Sequence, residues 1–410
     1  MVLHTEVMGL KEALYRNYST SQIIFIKHFQ RCPFCNFCDT LCFNLLQLLL
    51  PPSDIMPLKS MPCELQVISS VKKDNKLCIT VIGKAQDMDS KDDVPKDHVS
   101  RQIQVYSLDG KGNWSTLPED PRQKPAPNYN APVTVINGRI ALVGGRDAET
   151  GDITNVLSTW DEEKHEWEQD NPPSMPTKRL GSGVCHRDNL LLVVGGVVDD
   201  EVRMLVNTVD VYDFSSNRWY TPKALDLPIT QLRSPNVVVF KEYVYVIGGV
   251  TAYPAPPGKA QYNRHAWRAL WSDVKEAVSK AGAAVIQGAH TRGAEGEPSK
   301  EVESVWKRIA DPPVLRPTVV CYEDFLMAVG GVKGGIPQEG IYKFMDGKNA
   351  DSCGSWRLVG NMSVGRYRHA VVPLGSRGTA ALFVAGGYVL DNPEGDEDNR
   401  KSSSVEIVIL

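Results

Sequence analysis

Short apolar runs that end in paired glycines recur along the chain: IALVGG at 140–145, LLLVVGG at 190–196, VYVIGG at 244–249, LMAVGG at 326–331 and LFVAGG at 382–387. A degenerate copy, CITVIGK, lies at 78–84. The pairs are Gly144–Gly145, Gly195–Gly196, Gly248–Gly249, Gly330–Gly331 and Gly386–Gly387, at intervals of 51, 53, 82 and 56 residues. Ahead of each pair stands a second run rich in branched residues, such as PVTVI at 132–136, NVVVF at 236–240 and PTVVCY at 317–322. Behind it comes a third, as in NTVDVYDF at 207–214 and EGIYKF at 339–344. A tryptophan then opens a fourth: Trp114, Trp167, Trp219, Trp306 and Trp356. Runs of this length, bounded by turn residues, predict β-strands, four to a unit. A unit this small cannot cover both faces of its own sheet. Radial stacking covers them and protects the sheet edges.

An apolar strand closed by Gly-Gly, an aromatic in the next strand (Tyr212, Tyr342) and a tryptophan in the fourth resemble the Kelch repeat over roughly residues 64–410. That resemblance implies an all-β fold, a six-bladed Kelch-type β-propeller of four-stranded antiparallel blades. The blades are expected at about 64–118, 130–172, 180–228, 235–312, 317–362 and 367–410, behind a short, unstructured N-terminal leader over 1–63. The glycines and tryptophans are expected to build blades and to do no chemistry. The last blade lacks a fourth strand in sequence. A strand from Phe43–Leu50, a three-stranded blade and a truncated chain all remain open. Blade 4 carries an insertion at about 251–300, in which 272–282 has helical spacing at Val274, Ala277, Val278 and Ala281. Ser272 stands as its cap and Gly282 as its stop.

Composition changes this picture little. The 410 residues are 42% hydrophobic with a net charge of −4, which gives no footprint for nucleic acid. No run approaches the ~20 apolar residues of a membrane span. The scattered cysteines Cys63, Cys78, Cys185, Cys321 and Cys353 form no disulfide framework, so a reducing, cytoplasmic setting is expected. Cys32, Cys35, Cys38 and Cys42 match the spacing of an iron–sulfur run, but no second run accompanies them and Phe43 stands where proline usually follows. No metal and no cofactor are expected. The eight histidines show no clustered ligand spacing, and no nucleophile–base pair is visible.

The functional signal is an arginine ahead of the first strand in most blades. Arg179, Arg233 and Arg316 lie 16, 15 and 14 residues before the first glycine of their blades. Arg366 and Arg368 lie 20 and 18 before Gly386, and Asn130 takes the place in blade 2. Guanidinium forks suit carboxylates. Read as a ring at one mouth of the channel, these residues are expected to bind an acidic segment of a partner protein. Three long loops are expected on the same face: Lys84–Ser100, the 251–300 insertion, and Val389–Ser403 with its acidic DNPEGDEDN. In substrate-receptor Kelch domains, which the sequence resembles here, comparable arginines hold acidic peptides. The resemblance thus implies a scaffold or adaptor, not an enzyme, with ubiquitin-ligase or cytoskeletal components as partners. The alternatives are an actin-associated Kelch protein and a galactose-oxidase-like propeller. The 63 residues ahead of the repeats are too few for a BTB domain.

Overall fold

The computed structural model describes residues 66–82, 103–107, 114–117, 126–169, 172–252, 261–288, 303–347, 353–374, 381–389, 402 and 404–410, except 75, 200 and 203. The chain divides into Met1–Pro57 and Leu58–Leu410, and every described residue belongs to the second unit. The cysteine run, Phe43–Leu50 and the acidic loop at 391–399 lie outside the described residues.

Six antiparallel sheets of three or four strands follow one another along the described chain, with two-stranded ladders between them. Blade 2 shows the plan: Val133–Ile136 innermost, then Arg139–Val143, Leu157–Asp161 and Glu166–Glu168 outermost. Inner strands of consecutive blades abut, and Ala370–Leu374 of the sixth sheet abuts Gln66–Lys73 of the first, which closes the ring. Five sheets are complete four-stranded blades. The sixth has three strands, Ala370–Leu374, Ala381–Ala385 and Val405–Ile409. The expectation of six four-stranded blades is corrected accordingly: no described residue pairs with the outer edge of Val405–Ile409.

The alternating strands bury both faces, so each core lies between blades. Leu190, Leu192 and Val211 of blade 3 pack with Val244, Val246 and Trp267 of blade 4. Val320, Met327 and Val329 of blade 5 pack with Val371, Leu382 and Val384 of blade 6. Backbone bonds join the same neighbours. The second glycine donates to the linker that leads into the next blade: Gly145 to Arg179 O at 2.8 Å, Gly196 to Leu232 O at 2.8 Å and Gly331 to Arg366 O at 2.9 Å. Three of the tryptophans reach the other way, while Trp167 Nε1 is buried without a hydrogen-bond partner. Trp219 donates to Pro173 O at 2.8 Å, Trp306 to Leu225 O at 2.8 Å and Trp356 to Ala310 O at 2.9 Å, each a carbonyl of the linker into its own blade.

The blade 4 insertion differs from expectation. Its third strand is Ala266–Leu270, and helix α1, Trp271–Gly288, follows that strand directly and runs through Gly282. In blade 2 the third and fourth strands are joined by only Glu162–His165. The helix therefore leaves from the face opposite the Gly-Gly loops, and only the stretch ahead of Ala266 stays on the loop face. Trp271, Val274, Ala277 and Val278 form its buried stripe against Leu225 and Trp306, and Trp271 Nε1 donates to Asp188 Oδ2 at 2.9 Å.

Candidate functional site

In blades 2 to 6 the linker into the blade runs alongside the hairpin that follows that blade's glycines. Single bridges or short ladders pair Tyr129 with Arg146, Leu180 with Val197, Arg233 with Val250, Leu315 with Val332 and Tyr367 with Tyr388. These pairings fix linkers and hairpins on one face. They also set a register that the arginine count did not have. One residue after each paired position the backbone turns left-handed: Asn130, Gly181, Ser234, Arg316 and Arg368 have φ between 50° and 65°. One residue before stand Asn128, Arg179, Leu232, Val314 and Arg366. The six candidates thus occupy three positions, not one.

Arg179 and Arg366 take the innermost position and are 0% and 1% exposed. Arg179 Nη1 donates to Gly195 O at 2.7 Å, and Nε and Nη2 meet Asp210 Oδ2 at 2.9 and 2.8 Å. Burial pulls the Arg179 pKa down, and the charge of Asp210 opposes it. Arg366 Nη1 donates to Gly386 O at 2.9 Å, and Nη2 pairs with Glu406 Oε1 at 2.9 Å. Both guanidinium groups replace backbone partners that the positive-φ glycines lack. Neither has surface to offer a ligand, so their assignment to a binding ring is corrected. Asn128 does the same work in blade 2, with Nδ2 donating to Gly144 O at 2.6 Å. In blade 4 the hairpin residue Asn263 donates to Gly248 O at 2.8 Å.

Arg233, Arg316 and Arg368 remain partly exposed on the linkers into blades 4, 5 and 6. The Arg316 guanidinium lies between two rings, 5.0 Å from the Tyr262 centroid and 5.4 Å from that of Tyr367. Its Nη1 donates to Tyr262 Oη at 3.3 Å, and Tyr367 stacks on Tyr388 with centroids 5.0 Å apart. Arg233 lies over Gly181, where a Cβ would come within 2.9 Å of its Nε. The short linkers thus bring Arg233 and Arg316 to adjacent blades, with the Arg316 guanidinium in contact with both rings. Asn130 stays on the same register, with Oδ1 buried and lacking a hydrogen-bond partner.

Next to Arg366 sits His369, 2% exposed, with neither ring nitrogen bonded. Its ring fills the space over Gly330 and its Cβ lies against Gly387, while Thr318 Oγ1 donates to its carbonyl. Burial first, and Arg366 second, hold its pKa well below the ordinary histidine value. The folded chain therefore refuses a proton that the unfolded chain accepts below the ordinary value, so stability is unaffected above that value and falls beneath it. His186 is lowered too, by burial, with Asp188 opposing. Urea unfolding should show the wild type losing about 1 kcal/mol or more between about pH 7.5 and 5.5. His369→Phe should lose measurably less. An equal loss in both proteins would assign the acid sensitivity elsewhere.

No group of three or more potential metal ligands occurs among the described residues. Burial pushes the Cys185 and Cys321 thiols up to about 12, so both are protonated at neutral pH and poor nucleophiles. No helix among the described residues is long and apolar enough to cross a membrane.

The sequence profile of the KLHDC2/KLHL20/DRC7 Kelch-repeats domain matches residues 93–249. Alpha-scruin of Limulus polyphemus is 29% identical over 100 residues, 23% of this chain and 11% of that protein. The Kelch repeat and BTB domain-containing protein 12 of Danio rerio is 27% identical over 166 residues, 37% of this chain and 25% of that protein. The chain thus spans a quarter or less of these relatives. The solved structure of YjhT superposes with a TM-score of 0.56 at 14% identity, covering 86% of this chain and 99% of that one, a likeness of fold.

Proposed function

We propose that this chain, a member of the Kelch-repeat family folded as a β-propeller, is a non-catalytic binding protein that holds an acidic segment of a partner at its linker face. The Kelch propeller supports a protein-interaction role. The observation that carries the finer reading is Arg316, fixed between Tyr262 and Tyr367 with Arg233 on the preceding linker and Arg368 on the next. The guanidinium fork matches the two oxygens of a carboxylate, and contacts with two rings hold that fork in one orientation. Little side-chain entropy is then lost on capture.

Truncating one partner of an engaged arginine–carboxylate pair costs about 2–5 kcal/mol, and exposed pairs cost far less. Arg233→Glu with Arg316→Glu should therefore abolish capture of partners that the wild-type chain takes from lysate, while circular dichroism shows that the variant still folds. Capture by the wild type should weaken as salt rises. The same partners returning undiminished on the double variant would overturn the reading. Arg179→Glu is unsuited to this test because it would charge a sealed core.

A further inference from the structure

The linker face carries apolar side chains where a chain with no partner there would be expected to be polar. Val202 and Met204, on the blade 3 hairpin, are 73% and 49% exposed. Ile336, on the blade 5 hairpin, is 52% exposed. Blade 4 lies between them, with Arg233 on its linker and Tyr262 on its hairpin, followed by Arg316. The hairpins belong to this face because their strands begin at Val197, Val250 and Val332, the residues bridged to the linkers. Charge divides along the same line. Asp199 and Glu201 stand ahead of Val202 on the blade 3 hairpin, and both are exposed. Lys333 stands beside Ile336 on blade 5.

We infer that the bound segment is an extended peptide with one acidic position flanked on both sides by apolar side chains. This inference rests on the acidic-segment reading and adds the flanks. The acid sits over Arg233 and Arg316. The Asp199 and Glu201 carboxylates repel an acid over blade 3, so the position there is apolar and covers Val202 and Met204. The far flank covers Ile336. Apolar anchors around a charged centre also exclude water from it, which strengthens the ion pair. A uniformly acidic tail fits this face poorly, because it would place charge against blade 3.

The test is to pan a random-peptide phage library on the full chain, then titrate fluorescein-labelled consensus peptides. The expected consensus is an acid flanked by apolar residues. Val202→Ser with Met204→Ser, and separately Ile336→Ser, should weaken binding about ten-fold and leave the salt dependence unchanged. Arg316→Gln should weaken binding and flatten the salt dependence. All are surface changes, and unchanged melting shows that the fold is intact. Acidic peptides with polar flanks that bind wild type and both serine variants equally well would overturn the flanks and leave the acidic reading standing. An apolar consensus without an acid, insensitive to Arg316→Gln, would overturn both.

Discussion

Arg179→Ala is expected to destabilise the propeller by about 3–5 kcal/mol, the usual cost of stranding one member of a buried ion pair. Asp210 is 0% exposed and would keep only Thr221 Oγ1, at 2.8 Å, of its side-chain donors seen here. Gly195 O would lose its donor as well, and so would Thr208, whose carbonyl and hydroxyl take 3.2 and 2.9 Å bonds from the same guanidinium. Arg179→Met with Asp210→Leu should recover much of the loss, since two apolar groups of similar shape leave no charge without a partner. Chemical denaturation of the three proteins measures both effects. A single variant as stable as the wild type would mean that the pair contributes nothing.

The second large effect separates two glycines that look alike in sequence. Gly195 has φ +64°, and a Cβ there would stand 2.5 Å from Leu232 O, a backbone atom held by the Gly196 N–H. Gly248 has φ +70°, but the nearest atom to its Cβ would be Asn263 O at 3.8 Å. Gly248→Ala should therefore cost only the left-handed backbone, about 1–2 kcal/mol. Gly195→Ala adds a collision that the next linker must move to relieve, about 1–3 kcal/mol more. Equal melting points for the two variants would show that the linker yields freely.

The blades were legible because their markers are local. A glycine pair of positive φ and a large aromatic ring that must be packed are demands a residue type states by itself. The arginines were harder because their meaning depends on register. Along an extended linker a shift of one residue changes the side a side chain faces. The offsets of 16, 15 and 14 for Arg179, Arg233 and Arg316 were thus three environments, not scatter about one. Asn128, at offset 16 from Gly144, carried the same signal as Arg179 and was legible in principle. Asn263 was not, since it reaches Gly248 from a hairpin of different length. The third strand of blade 4 hid behind Arg268, which is 4% exposed in an otherwise apolar strand and stacks on Tyr243 at 4.5 Å. In sequence the helix that follows it therefore looks like part of the loop-face insertion, although it leaves from the opposite face.

The seam where Gln66–Lys73 meets Ala370–Leu374 bears on how the chain reaches this structure. Lys72 Nζ donates to Pro373 O at 3.3 Å across 301 residues of sequence. Most other contacts join neighbours within a blade or between consecutive blades and can form as each segment leaves the ribosome. The seam cannot form until nearly the whole propeller has been synthesised. Until then the first blade keeps one flank bare, and so does whichever blade was made last. Closing so long a loop costs entropy that only the finished flank repays, which places this step late and makes it slow. The exposed flanks of the waiting arc are apolar sheets with no partner, the kind of surface that associates between molecules. The closed ring and the hazard of its assembly therefore arise from the same two strands.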